Sequence, residues 1–298
     1  MLMNPKADIP RKSAGRRSAA SPGASTLEKQ HSLRDMIARR QSAGALLESY
    51  MGEVPPDEAM PARVQMEPGF ILHTWEWSES SQLLDVLSMN YGRVFLVAKG
   101  AKRPSSQMRG LLSAFCPLLF DWSGRKEAKT LQRVHWLGTL VPMSGEALMS
   151  GFYVNELVMK LCAREERHPG LFRAYLEVLD VLALGQREST APALRSFEKL
   201  ILTLAGWAPA TDGYPAGELY CVREGVICAT ARSAGVQLYE RSAVSALLED
   251  RFTERASQRA VRDILRDLIH YHLGTRELNT RRILNELNAL KRESEVVA

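Results

Sequence analysis

The sequence predicts an α+β chain: a five-stranded β-barrel, then an all-α helical bundle, with a disordered basic extension in front. Three observations predict it. The chain opens on "PRKSAGRRSAASPGAS" (10–25), which holds cations but no acid and no large apolar residue. From Met66 onward, short runs of β-formers alternate with a period of two and are separated by turn residues. After Ser144 the apolar period changes to 3.6 and stays there. The boundaries this gives are 1–62 for the extension, 66–142 for the barrel and 143–298 for the helices.

The extension comes first. A segment this poor in apolar side chains cannot offset the entropy of ordering it. A weak helix is expected around "LRDMIARRQSAGALLESYMG" (33–52). Three readings stay open: a solvated tail that helps hold phosphates, a translated upstream region with the working start at Met60 or Met66, and an Arg/Ser-rich transit peptide.

The barrel strands follow in order. "GFILHTWEW" (69–77), "SQLLDVLS" (81–88) and "GRVFLVAK" (92–99) are the first three, with "MNYG" (89–92) turning between the last two. "PLLFDWSGR" (117–125) and "AKTLQRVHWLGT" (128–139) supply two more. Five short strands in about 75 residues, with no long helix among them, fit a closed barrel of the oligonucleotide-binding (OB-fold) type.

Then the helices. "SGEALMSGFYVNELVMKLCAREER" begins at Ser144 with Glu146 in its first turn. Pro169 opens "PGLFRAYLEVLDVLALG" and Gly185 closes it. "APALRSFEKLILTLAGWAP" follows, with Gly206 as its cap. Thr211 to Leu238 reads as irregular. "SAVSALLED", "ASQRAVRDILRDLIHYHLG" and "NTRRILNELNALKRE" finish the chain.

With 45% hydrophobic and 24% charged residues among 298, the composition is globular, and the formal net charge is only +5. Placement matters more than the sum. From Arg93 to Arg133 nine cations face two acids, Asp121 and Glu127. A cationic loop, "VAKGAKRPSSQMRG" (97–110), hangs off the third strand. Such a window favours a polyanionic partner, since cations on a barrel edge displace the counterions of a phosphate chain. No apolar run reaches the roughly 18 residues of a membrane span. No apolar signal segment follows the N-terminal charges, and four well-separated cysteines read as reduced thiols, so a cytoplasmic location is expected.

The loop is not a P-loop. That motif needs Gly-Lys-Ser/Thr opening a helix, whereas here Lys99 precedes Gly100 and Pro104 interrupts. Cys221 and Cys228 are too far apart for a zinc knuckle, and His270 and His272 point to different sides of a helix. No catalytic motif stands out. Six aromatics, Trp75, Trp77, Tyr91, Phe95, Trp122 and Trp136, fall in the barrel. Each is either core or a ring on which a base can stack. Trp75 and Trp77 share one face, and Phe95 and Trp136 lie between cations. Late in the chain Arg255, Arg259, Arg262 and Arg266 form one helix stripe, either salt-bridged and solvated or a landing site for an acidic partner.

Taken in order, "GFILHTWEWSESSQLLDVLS", "GRVFLVAKGAKRPSSQMRGLLSAFCPLLFDWSG", "GEALMSGFYVNELVMKL" with "EERHPGLFRAYLEVL", and "LRSFEKLILTLAGW" resemble the RecO family of bacterial DNA repair proteins. The resemblance implies a non-enzymatic mediator of recombinational repair. Such a protein binds single- and double-stranded DNA and anneals complementary strands. It works with RecR and the single-strand binding protein SSB to help load RecA, and associates with the nucleoid. Carried onto this chain, the DNA-contacting candidates are Arg93, Lys99, Lys102, Arg103 and Arg109, with Lys126 and Arg133 from the same basic window. The acidic, Phe-ended tail of SSB would need an apolar pocket with a cationic rim. Arg195 with Phe197, and Arg259, Arg262 and Arg266, are the candidates for it. Some relatives carry a four-cysteine zinc site where only Cys221 and Cys228 stand here, so no zinc or other cofactor is expected. Two rival readings are an OB-fold RNA-binding protein and a nuclease or NTPase.

Overall fold

The computed structural model describes residues 60–138, 143–231 and 235–280, together with 282, 283 and 286. The readings made for 1–59, and most of the last predicted helix, lie outside these residues.

Five strands, β1 (Arg63–Glu76), β2 (Gln82–Ser88), β3 (Gly92–Ala98), β4 (Pro117–Ser123) and β5 (Ala128–Trp136), close into a barrel in the order β1-β2-β3-β5-β4. β3 and β5 run parallel, and every other pair is antiparallel. β1 is long because it serves two neighbours. Its first half pairs with β4 and its second with β2, and irregularities at Val64/Glu67 and Ile71/His73 bend it between them. Met66 sits in the first of these with positive φ, and its N–H donates to Asp121 Oδ1 at 2.7 Å. The inward rows, including Ile71, Leu84, Val86, Val94, Leu96, Leu118, Phe120 and Trp122, fill the barrel.

β3 alternates strictly. Val94, Leu96 and Ala98 point in, while Arg93, Phe95 and Val97 point out. The turn before it contains Gly92, at φ 65°, and a Cβ there would lie 2.0 Å from the Glu166 carbonyl oxygen. Glycine is therefore required twice over: by the turn, and by a helical-region loop that passes against it.

The helical part holds α1 (Gly145–Leu161), α2 (Pro169–Leu184), α3 (Arg187–Leu204), α4 (Arg241–Leu248) and α5 (Arg255–Leu273). The stretch expected to be irregular holds β6 (Thr211–Asp212), β7 (Leu219–Arg223) and β8 (Val226–Thr230), which with β9 (Tyr239–Glu240) just after it form a small sheet in the order β6-β8-β7-β9. Cys221 and Cys228 are cross-strand partners within it. Tyr239 ties the sheet to α5 by donating to Asp267 Oδ2 at 2.6 Å.

Barrel and helices share one core. Phe70, Leu72, Leu87 and Met89 leave the barrel's outer face and pack into the helical cluster. Phe70 lies 5.6 Å from Phe172 and 5.2 Å from Tyr175, ring to ring. Each such side chain, once buried, contributes roughly 1.5–3 kcal/mol. Leu72, the extra residue of the second irregularity, has its carbonyl satisfied by Asn155 Nδ2 at 2.8 Å, and Tyr175 donates to Asn155 Oδ1 at 2.6 Å. This shared cluster makes the two parts one body.

Candidate nucleic-acid interface

The outer face of β1, β2 and β3 is a set of cross-strand rows. Phe70–Leu87–Arg93 lies under the helices, His73–Asp85–Phe95 is next, and Trp75–Leu83–Val97 is farther out. Trp77 and Lys99 are the first residues past the ends of β1 and β3, and both are exposed. The β1–β2 turn and the start of the cationic loop are bonded together. Lys102 N donates to the Ser80 carbonyl at 2.9 Å, and Gly100 N donates to Ser81 Oγ at 3.2 Å. Successive tight turns then run from Gly100 through Arg103 and Ser106 to Arg109.

Midway along β3, Phe95 pairs with Ala128, the first residue after the β4–β5 turn that carries Arg125 and Lys126. Cations therefore flank the β2–β3 face from both neighbouring loops, which is where OB barrels bind oligomers. Lys99, Arg103, Arg109, Arg125, Lys126 and Arg133 are all exposed, and none forms an ion pair among the described residues. Arg133 stands on the β4–β5 ladder opposite Asp121, one strand away from the row.

Three other cations of the window are already engaged. Arg93 is not on this surface. Its Nε and Nη2 donate to the two oxygens of buried Asp85 at 2.8 and 3.0 Å, and its Nη1 donates to the carbonyls of Met159 and Cys162 at the end of α1. It is an interdomain clamp rather than one of the exposed cations of this face. Lys129 is buried against Glu165 of the α1–α2 loop. Lys102 pairs with Glu76 at 2.7 Å, a contact that holds the Glu76 carboxyl below its ordinary pKa. Because Glu76 is open to solvent, that pair is weak and a phosphate can displace it.

The rings divide as well. Trp122 is wholly buried, whereas Trp75, Trp77 and Trp136 are 38%, 62% and 59% exposed. Arg164, which nothing in the sequence pattern singles out, lies over the Phe95 ring at 4.3 Å, also paired with Glu127. It comes from a non-periodic loop, so only the fold brings it here.

A second concavity, of about 660 Å³, opens between α1, α3, α5 and the segment after α5. Leu194, Ile269, Leu273 and Leu278 line it, as do Arg195, Arg262, Arg266, Arg276 and Arg282. Arg195 is buried and donates to Glu198 at 2.6 Å, while its Nε has no partner among the described residues. Burial pushes the Glu198 carboxyl up and Arg195 opposes that. Phe197 is not part of this site: it is 2% exposed, inside the helical core. Arg259 is exposed on α5, yet it does not line the cavity. Arg262 and Arg266 share Asp263 as a partner, and Arg255 pairs with Glu188, so the stripe is partly neutralised. Arg276 and Arg282 are the cavity cations that the sequence reading missed.

Residues 63–140 match the family model described as Recombination protein O N terminal, and residues 143–282 match Recombination protein O C terminal. The "DNA repair protein RecO" of Ralstonia nicotianae is 39% identical across 84% of this chain and 96% of its own length. The proteins of that name from Aromatoleum aromaticum and Variovorax paradoxus are 38% and 39% identical, each across 76% of this chain and 98% of their own. These names record repair and recombination and no catalysed reaction. With one family model on the barrel and its companion on the helices, the chain belongs to the RecO family of DNA repair proteins.

Proposed function

We propose that this chain is a recombination mediator of RecO type: it binds single- and double-stranded DNA, anneals complementary strands, and with RecR helps RecA replace SSB. The observation that carries this reading is the set of six exposed cations around the barrel that form no ion pair among the described residues. Two strands repel because each is a line of phosphates. A surface that holds one strand with fixed cations lowers the repulsion felt by the second. That is catalysis of encounter by charge, with no bond made or broken.

The helical cavity supplies the other half of the reading. Its apolar side chains suit the terminal ring of an SSB tail, and its arginines suit the acids before it. The unpartnered Arg195 Nε offers a buried donor to a carboxylate there.

The test measures annealing of SSB-coated strands alongside the salt dependence of single-strand binding. If six cations each neutralise a phosphate, log K falls against log salt with a slope near −4, from roughly −0.7 per contact. Replacing Lys99, Arg103 and Arg109 together by Ala should flatten that slope by about 2 and slow annealing. An unchanged slope removes the loop from the interface. Removing the SSB tail should abolish annealing of coated strands and spare that of naked ones.

A further inference from the structure

We propose that Trp75 and Trp77, with His73 alongside, form a stacking platform for unpaired bases, so that the barrel grips a single strand more tightly than a duplex. This rests on the nucleic-acid reading of the barrel given above. The cations do not discriminate in that way, since a duplex offers more phosphate per length than a single strand.

Two large indoles left in water, one on the outer face of β1 and one just past its end, are not core. Trp75 and Trp77 are 38% and 62% exposed. Nor is Trp75 loose. It is wedged edge-on between the His73 ring at 4.5 Å and the Phe95 ring at 5.7 Å. The Trp77 backbone is pinned in the β1–β2 turn by its bond to the Ser81 carbonyl at 3.2 Å. A ring held in place before binding, as that of Trp75 is, loses little freedom when a base lands on it.

The occupant follows from the surroundings. The β1–β2 turn that carries Trp77 is bonded to the loop that carries Lys99 and Arg103, and Phe95 pairs with Ala128, just after the turn with Arg125 and Lys126; these four cations are exposed and unpaired among the described residues. Apolar rings between two groups of cations suit a ligand with flat apolar units on an anionic chain, which is a single strand with its bases splayed. In a duplex every base already stacks on its neighbours and cannot reach a ring. Once two strands pair on the protein, the stacking contacts are given up while only phosphate contacts remain, so the platform favours release of the annealed product.

The experiment uses the full chain and one oligonucleotide sequence, presented single-stranded and as a duplex, titrated across a range of salt. In the Trp77→Ala variant and in the Trp75→Ala/Trp77→Ala double variant, single-strand affinity should fall about 10-fold per ring, from roughly 1–3 kcal/mol per stacked base. Duplex affinity and the salt slope should not move, because no cation is removed. Trp77→Phe should recover most of the loss. Equal loss for single strand and duplex, or no loss for either, overturns the proposal. Failure of the underlying reading looks different: a salt slope near zero in the unsubstituted chain.

Discussion

Arg93 is where charge and architecture can be told apart. Arg93→Ala leaves Asp85, which has no exposed side-chain surface, without its bidentate partner. It also strips a donor from the carbonyls of Met159 and Cys162 at the negative end of α1. Removing one member of a buried pair costs about 3–5 kcal/mol, because the other is left charged and unpaired. Arg164, 3.8 Å from the second Asp85 oxygen, recovers a fraction of this. Against a total stability of about 5–15 kcal/mol, the variant folds but its urea midpoint drops sharply. Adding Asp85→Ala should restore part of the loss, since the stranded charge goes with it. The salt slope of DNA binding should stay the same. A loss of under about 1 kcal/mol in urea unfolding, or a slope flattened by about 0.7, would refute the clamp and return Arg93 to the DNA surface.

Two further outcomes are expected. Burial pushes Glu67 from an ordinary 4.5 up to about 7, against the opposing bonds from Asn90 N and Nδ2 and the nearby Arg167. A carboxyl whose folded pKa is raised favours folding below pH 4.5, and that contribution is lost as pH rises to about 7. The loss amounts to roughly 3 kcal/mol, so Glu67→Gln should match the parent in urea unfolding near pH 4.5 and exceed it at pH 8; a difference independent of pH would contradict this. Burial also raises Glu156, but the Asn279 and Thr280 N–H groups, the Thr280 hydroxyl and Lys160 outweigh it and lower its pKa. Glu156→Ala should therefore release the segment that carries Leu278 and Arg282 and weaken binding of an acidic tail peptide, leaving DNA affinity unchanged; a peptide affinity equal to the parent's would exclude the tether.

The barrel was legible because its strands are amphipathic in the simplest way: β3 alternates residue by residue, and the structure keeps that alternation. The fate of individual cations was not. Lys129 and Arg93 find their carboxylates and carbonyls across the fold, at Glu165 and at the end of α1, and no local pattern announces such partners. The small sheet was missed because "LYCVREGVICAT" carries cysteines where strong β-formers are expected, and turns through Glu224-Gly225 rather than Asn-Gly or Asp-Gly. Phe197 was a misreading that helix geometry alone corrects. Two positions along a helix are about 200° apart, so a Phe beside a cavity-lining Arg195 must face away from it.

The clamp matters for mechanism as well as stability. Arg93 and the Phe70–Phe172–Tyr175 cluster fix barrel and helices as one body, so under the proposed function an SSB tail in the cavity and a strand on the barrel would be held by the same rigid object. Among the described residues none from the barrel lines the cavity, so the two candidate surfaces do not share a residue. Capturing a tail would then make the second contact intramolecular, and the strand that SSB carries would be presented to the barrel at a local concentration that short tethers raise to the millimolar range. Two individually weak grips become one strong one only while the coated strand lies within reach of both. A hinge in place of the clamp would let the tail be caught with the barrel turned away, and that gain would be lost without any change in either site.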